Sequence, residues 1–266
     1  MKLRKLFVLM IAAALMALTM APAAFAQSNP AKVRVVHASP DAPAVDVFVD
    51  GSAVLTNVPF FAASDYLELP AGTYRIQVSP TGQPASAAVI DANVTVAAGN
   101  AYTIAATGLV ASIAPVVIND NLTAPAAGNT KVRVYHFSPD APAVDVKLAD
   151  GTVLISNLAF PNASDYLEVP AGSYSLQVTP AGGSAVVIDL PNTQLDAGQI
   201  YSVFATNVVA SITPEVAVTT PAVVAVPLPA PITLPSTSGE TAPLALLAMI
   251  AVAMVAGALV LRRRAL

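Results

Sequence analysis

His37, Ser39 and Asp41, and again His136, Ser138 and Asp140, place a base, a hydroxyl and an acid within five residues of one another. These are the residue types of acyl transfer by a serine relay, in which the imidazole takes the hydroxyl proton and the carboxylate orients the imidazole. The spacing opposes that chemistry. Alternate residues of a strand lie side by side on one face, and Pro40 and Pro139 turn the chain directly after the serine, so the three groups do not line up as a relay. Neither half of the chain has a second histidine to replace the first. The residues predict a tight turn instead: Ser39-Pro40-Asp41, with Pro43 following, and Ser138-Pro139-Asp140, with Pro142 following. Ser and Asp oxygens take up backbone N–H groups there, and the histidine packs at the strand end.

A cation offers another use for the same acids. Asp41, Asp46 and Asp50, with Asp65 and Glu68 further on, are hard oxygen donors of the kind calcium takes. No DxDxDG-type loop accompanies them. Asp46 and its counterpart Asp145 alternate with valines, which predicts a solvent-facing position on a strand. Lys32 with Arg34, and Lys131 with Arg133, are expected on the exposed side of the first strand of each half. Tyr66, Tyr166, Tyr74 and Tyr174 are expected to pack with their hydroxyls near the surface. The absence of tryptophan disfavours a sugar-stacking face. No catalytic residue, metal site or cofactor is therefore assigned.

The elements that position these residues occur twice. Lys32 to Val47 repeats as Lys131 to Val146 with fourteen of sixteen positions identical, and Ala63 to Tyr74 repeats as Ala163 to Tyr174 with ten of twelve. This is a tandem duplication, and two units of this size read as separate domains rather than a solenoid. In each, short runs rich in Val, Ile, Tyr and Thr alternate with Pro, Gly, Asp and Asn clusters, the pattern of a sandwich. The fold class expected is all-β: two tandem immunoglobulin-like antiparallel β-sandwiches at residues 27–118 and 131–214, joined by a linker at 119–130. First-copy strands are expected near 32–37, 44–49, 52–58, 64–69, 72–79, 89–96 and 101–106, with Asp50-Gly51 and Pro70-Ala71-Gly72 as hairpin turns.

The ends read differently. Residues 1–26 carry Lys2, Arg4 and Lys5, an apolar run and Ala24-Phe25-Ala26, which predicts a cleaved bacterial-type signal peptide. Residues 215–243 are rich in proline and predict an extended stalk. Residues 244–261 lack charge and are long enough for a transmembrane helix, and the basic tail 262–266 is then cytoplasmic by the positive-inside rule. Ahead of that span, Leu234, Pro235, Thr237 and Gly239 resemble the LPxTG signal read by sortases, except that Ser238 stands where the glycine should follow. Attachment to the cell wall and a plain membrane anchor both stay open.

Of the twelve Lys and Arg, three lie in the signal and three in the tail. Six basic residues minus sixteen acidic ones leaves −10 on the part between. That charge excludes a phosphate-backbone footprint, so nucleic acid is no partner. With no cysteine, the domains must stand on their cores alone.

The string VRVxHxSPDAPAVDV, at Val33 to Val47 and Val132 to Val146, followed by SDYLExPAG at Ser64 to Gly72 and Ser164 to Gly172, resembles the DUF4397 family. The resemblance covers nearly all of Lys32 to Pro214. It implies an exported, often duplicated domain with no assigned activity. The function expected is that of a non-enzymatic surface module for display, adhesion or interaction with a protein or glycan ligand. A calcium- or glycan-binding adhesin and an accessory of an envelope-polymer enzyme are the alternatives.

Overall fold

The computed structural model describes residues 29–221, which are all-β apart from single 3-10 turns. The expected signal segment 1–26, the transmembrane span 244–261 and the LPxTG-like residues lie outside the described residues. No helix among the described residues is long and apolar enough to cross a membrane.

The first copy runs β1 (Ala31–Ala38), β2 (Val45–Val49), β3 (Ser52–Val58), β4 (Ala62–Ala63), β5 (Leu67–Leu69), β6 (Gly72–Pro80), β7 (Ile90–Val96), β8 (Ala101–Thr107) and β9 (Ala114–Asp120). The second runs β10 (Asn129–His136), β11 (Val144–Leu148), β12 (Val153–Leu158), β13 (Leu167–Pro170), β14 (Gly172–Pro180), β15 (Ile188–Leu195), β16 (Ile200–Thr206) and β17 (Thr213–Thr219). Each copy is two sheets. One is antiparallel, β3-β2-β6-β7 or β12-β11-β14-β15; the other is ordered β1-β8-β9 with β4 and β5 on its free edge, or β13-β10-β16-β17. The expectation of a wholly antiparallel sandwich fails at one place in each copy. β1 pairs parallel with β8, from Lys32 opposite Ala101 to Ala38 opposite Thr107, and β10 pairs parallel with β16. The chain between each parallel pair builds the second sheet, which supplies the long crossover that parallel strands require.

Between the sheets of copy 1, Val33, Val45, Val47, Ile76, Val78, Ile90 and Ile104 form the core; in copy 2, Val134, Val144, Val146, Leu158, Val178, Ile188 and Ala205 do the same. Asp50 and Gly51 both take left-handed φ, 49° and 80°, and close a two-residue hairpin between β2 and β3. The extra residue of copy 2 changes this turn: Ala149-Asp150-Gly151 forms a longer loop in which only Gly151 is left-handed, and its N–H bonds the Leu148 carbonyl. Pro70-Ala71-Gly72 is not a hairpin. It carries the chain from β5 in one sheet to β6 in the other, with Gly72 at ordinary φ, and the Tyr74 hydroxyl donates to the Pro70 carbonyl at 2.9 Å to hold the corner; Tyr174 and Pro170 repeat this at 2.7 Å.

Two boundaries move. β9 fills residues 114–120 and β17 fills 213–219, so the last strand of each copy lies partly in the segments expected as linker and stalk. The linker shortens to residues 121–128 and is tied down, with Lys131 Nζ donating to the Thr123 carbonyl and Glu168 accepting from the Ala126 amide. Lys131 is accordingly buried rather than exposed.

The two copies are not separate beads. The faces of the β1-β8 and β10-β16 sheets that point away from their own cores meet each other. There Val36, Ala38 and Ala105 of copy 1 and Tyr135, Phe137 and Phe204 of copy 2 form one cluster, each 0 % exposed. In sequence register Val36 corresponds to Tyr135, Ala38 to Phe137 and Ala105 to Phe204. Small side chains on one sheet make a socket for aromatic rings on the other, an arrangement that fills space without voids.

Candidate functional site

The repeated motif forms one end of each sandwich. His37 and His136 end β1 and β10 and are fully buried; Nε2 lies 3.1 Å from the Pro43 carbonyl in His37 and 3.0 Å from that of Pro142 in His136. The Ser39 amide donates to His37 Nδ1 at 3.4 Å, which fixes Nε2 as the protonated nitrogen. Burial pulls both imidazoles below the ordinary histidine range, so they are neutral at neutral pH. The Ser39 hydroxyl faces Asp41 Oδ1 at 3.5 Å and not the imidazole, and Ser138 Oγ has no partner among the described residues. No nucleophile-to-base bond is therefore made in either copy.

The acids bind backbone. Asp41 Oδ1 accepts from the Val110 amide and Asp140 Oδ1 from the Val209 amide, both at 2.8 Å, so Pro40 and Pro139 turn the chain to let the next residue cap a 3-10 turn sixty-nine residues away. Asp46 is buried rather than solvent-facing: Oδ1 accepts from the Asn57 amide at 2.7 Å and Oδ2 from the Gly82 amide at 2.9 Å. Asp145 repeats this with Asn157 at 2.8 Å and Gly182 at 2.9 Å. Asn57 and Asn157 sit at left-handed φ on the irregular side of the β2-β3 and β11-β12 pairings, so each aspartate secures a bulge and a loop at once. The Asn57 and Asn157 amides, followed by those of Gly82 and Gly182, hold the two carboxyls below the usual range. Asp50 accepts from the Arg75 amide. These acids do not converge, and among the described residues no three metal-ligating side chains gather.

A second polar cluster lies at the contact between the copies. Asp120, at the end of β9, has a fully buried carboxylate. It accepts from Tyr135 Oη at 2.6 Å, Tyr66 Oη at 2.9 Å and the Thr103 hydroxyl, and pairs with Arg133 Nη1 at 3.1 Å. Arg34 Nη2 lies 4.0 Å from the same carboxylate and donates to Thr103, Tyr135 and Ser202. Arg34 stacks over Tyr66 and Arg133 over Tyr166, each 4.9 Å from the ring centre. Arg34, expected at the surface, is 2 % exposed. Its side-chain direction follows from the β1 alternation that sends Val33 and Val35 into the core: Arg34 must face outward, and outward here means the other copy. Burial, and after it the Coulomb effect of Asp120 where not opposed by arginine, pushes Tyr66, Tyr135 and Tyr166 above the ordinary range. They remain donors, and the cluster is a lock rather than a reactive centre. Asp120 has no acidic counterpart, since Thr219 occupies its place in copy 2. The signal that would have found it is that same asymmetry, an acid at the end of a repeat beside two repeated arginines.

Similarity to solved structures is slight. The chain matches the Bacillus anthracis TIE protein at 11 % identity and TM-score 0.21 over 67 % of its own length, spanning 34 % of that protein. It matches a provisionally assigned cell adhesion protein of Bacteroides fragilis NCTC 9343 at 11 % identity and TM-score 0.18, with 71 % of this chain and 97 % of the other covered. No curated protein matches the sequence. The profile of a domain of unknown function, DUF4397, matches residues 31–147 and 147–225 in succession. With most of its length matched by two adjacent copies of that profile, the chain belongs to the DUF4397 family as a tandem duplicate.

Proposed function

We propose that this chain is a non-enzymatic cell-surface module that presents two fused sandwiches as one stiff body. Residues 1–26 direct export and the proline-rich segment is the stalk; the protein is held at the surface either by residues 244–261 as a membrane anchor, with 262–266 inside the cell, or, after sortase cleavage at Leu234 to Gly239, by the cell wall. The observation that carries the reading is the use made of the repeated motif. In both copies its histidines and aspartates are bonded to backbone of the same domain, which is what a turn that organises loops requires. The buried contact between the copies supports the stiffness, and the net charge of the exported part agrees with a partner that is not nucleic acid.

The test has two arms. Full-length protein expressed in its host is fractionated before and after muramidase treatment; release with wall fragments marks sortase attachment, and extraction by detergent alone marks a membrane anchor. Residues 27–221 are melted with calcium and with chelator and passed over peptidoglycan and glycan resins; a fragment ending at 214 would lose β17. The expected result is an unchanged melting temperature and no retention. A calcium-dependent rise, or specific retention, makes the protein a ligand-binding adhesin instead.

A further inference from the structure

The first sandwich has an internal cavity of about 70 Å³. Its walls include Val47, Val58, Ile76, Val96 and Ile104, and the imidazole on it, His37, has both ring nitrogens engaged elsewhere. Val54 and Leu67 also line it and are 45 % and 37 % exposed. They sit on β3 and β5, which are edge strands of the two facing sheets, so the cavity opens between those edges.

Comparison with copy 2 shows how the space arises. Val54, Val58 and Val96, all on its wall, correspond to Leu154, Leu158 and Leu195. Three wall positions on the β3 and β7 strands thus carry shorter side chains in the first copy, against one-carbon gains at Leu69 and Ile104 opposite Val169 and Val203. An empty apolar cavity costs stability in proportion to its volume.

We propose that the cavity of the first sandwich receives the end of an unbranched alkyl chain, entering between β3 and β5. No polar group of the wall is free to fix a headgroup, so the buried part of the ligand is hydrocarbon and any polar end stays outside the mouth. Apolar cavities of about 150 Å³ stay dry and hold benzene. Half that volume suits a slimmer group, about three or four carbons, rather than a ring. The inference does not depend on the surface-display reading.

Cells expressing the full-length chain are incubated with a straight-chain alkyl diazirine, irradiated, and the labelled peptides mapped by mass spectrometry. Carbene insertion is expected at Val54, Val58 and Leu67 at least tenfold above Leu154, Leu158 and Leu167. Val58→Leu and Val96→Leu, which install the residues of copy 2, are each expected to lower labelling of the first copy to the level of the second, with a melting temperature equal to or above that of the parent. Equal labelling of the two copies, no labelling of either, or labelling unchanged by both substitutions would overturn the proposal.

Discussion

The two inner sheets descend from one sequence and now do opposite jobs. Across the sixteen residues from Lys32 and from Lys131 only two positions differ, Val36 against Tyr135 and Ala38 against Phe137, and both lie in the contact between the copies. Ala105 against Phe204 is the third such change, on the neighbouring strand. On β1 and β10 the face turned to each domain's own core kept its residues, while the faces turned to each other split into socket and knob. Asp120 against Thr219 completes the division: one copy supplies the acid that two equivalent arginines share. Along these two strands, retained identity marks what each sandwich needs alone, and divergence marks what the pair needs together.

Removing Asp120 is the severest way to break this contact. Asp120→Ala leaves two guanidiniums without their countercharge and the hydroxyls of Tyr66, Tyr135 and Thr103 without their acceptor at a largely buried site. Breaking a buried pair in this way costs about 3–5 kcal/mol, read as a fall in the urea midpoint. A loss below about 1 kcal/mol, the value of an exposed ion pair, would mean that the copies do not stay docked in solution.

The knob and socket give a sharper test because they can be exchanged. Phe204→Ala is expected to cost about 3 kcal/mol, the low end of the range for a buried phenylalanine, since Phe61 and Tyr135 pack on the ring at 5.3 and 4.5 Å and can lean into the gap. Ala105→Phe alone overfills the contact and destabilises too. If the residues face one space, the double variant recovers at least about 1 kcal/mol relative to the sum of the singles, within the range seen for touching residues. Strict additivity would place them in independent environments.

Acid should separate the histidines from the aspartates of the motif, equally in both copies. His37 and His136 are held low by burial, and Asp46 and Asp145 by backbone amides. A depressed folded pKa means that the unfolded chain binds more protons in the interval, so the stability each group contributes is present above its unfolded value and is lost as pH falls toward the folded one. The histidine loss begins below about pH 6.5 and the aspartate loss below about pH 3.9. Melting temperature should therefore fall in two stages between pH 8 and pH 3, and the pair His37→Asn with His136→Asn should abolish the first stage only. A flat profile from pH 8 to pH 5 in the parent would contradict the buried neutral imidazoles.

Alternation and turn chemistry made the sandwiches readable. Val and Ile at every second residue and the Asp-Gly turns located β2, β3, β6, β7 and β8 within two residues. The strands β9 and β17 were hidden by Pro115 and Pro214, which mimic loop residues but sit on edge strands, where a missing N–H is tolerated. Alternation puts Arg34 and Asp46 in solvent because it reports which residues share a face and not what that face meets. For Arg34 the other face met a second protein layer; for Asp46 it met the amides of a bulge. The clue to the contact was present in the apolar Val36, Tyr135 and Phe137 on the supposedly wet face, together with the concentration of repeat mismatches there.

The smallest effect expected is also the control for the others. Tyr74→Phe and Tyr174→Phe each delete one hydroxyl that donates to a proline carbonyl at the corner between sheets. Such a bond contributes about 0.5–1.5 kcal/mol, and these are exposed, so the lower end applies. Because the corner is built from residues that both copies share and lies away from the contact, the two substitutions should cost the same within about 0.5 kcal/mol and add when combined, as distant independent sites do. Symmetric losses here beside asymmetric ones at Ala105 and Phe204 would locate the divergence of the repeats in the contact itself. Unequal losses at the two corners would instead show that the second sandwich, with its longer hairpin and fuller core, had changed throughout.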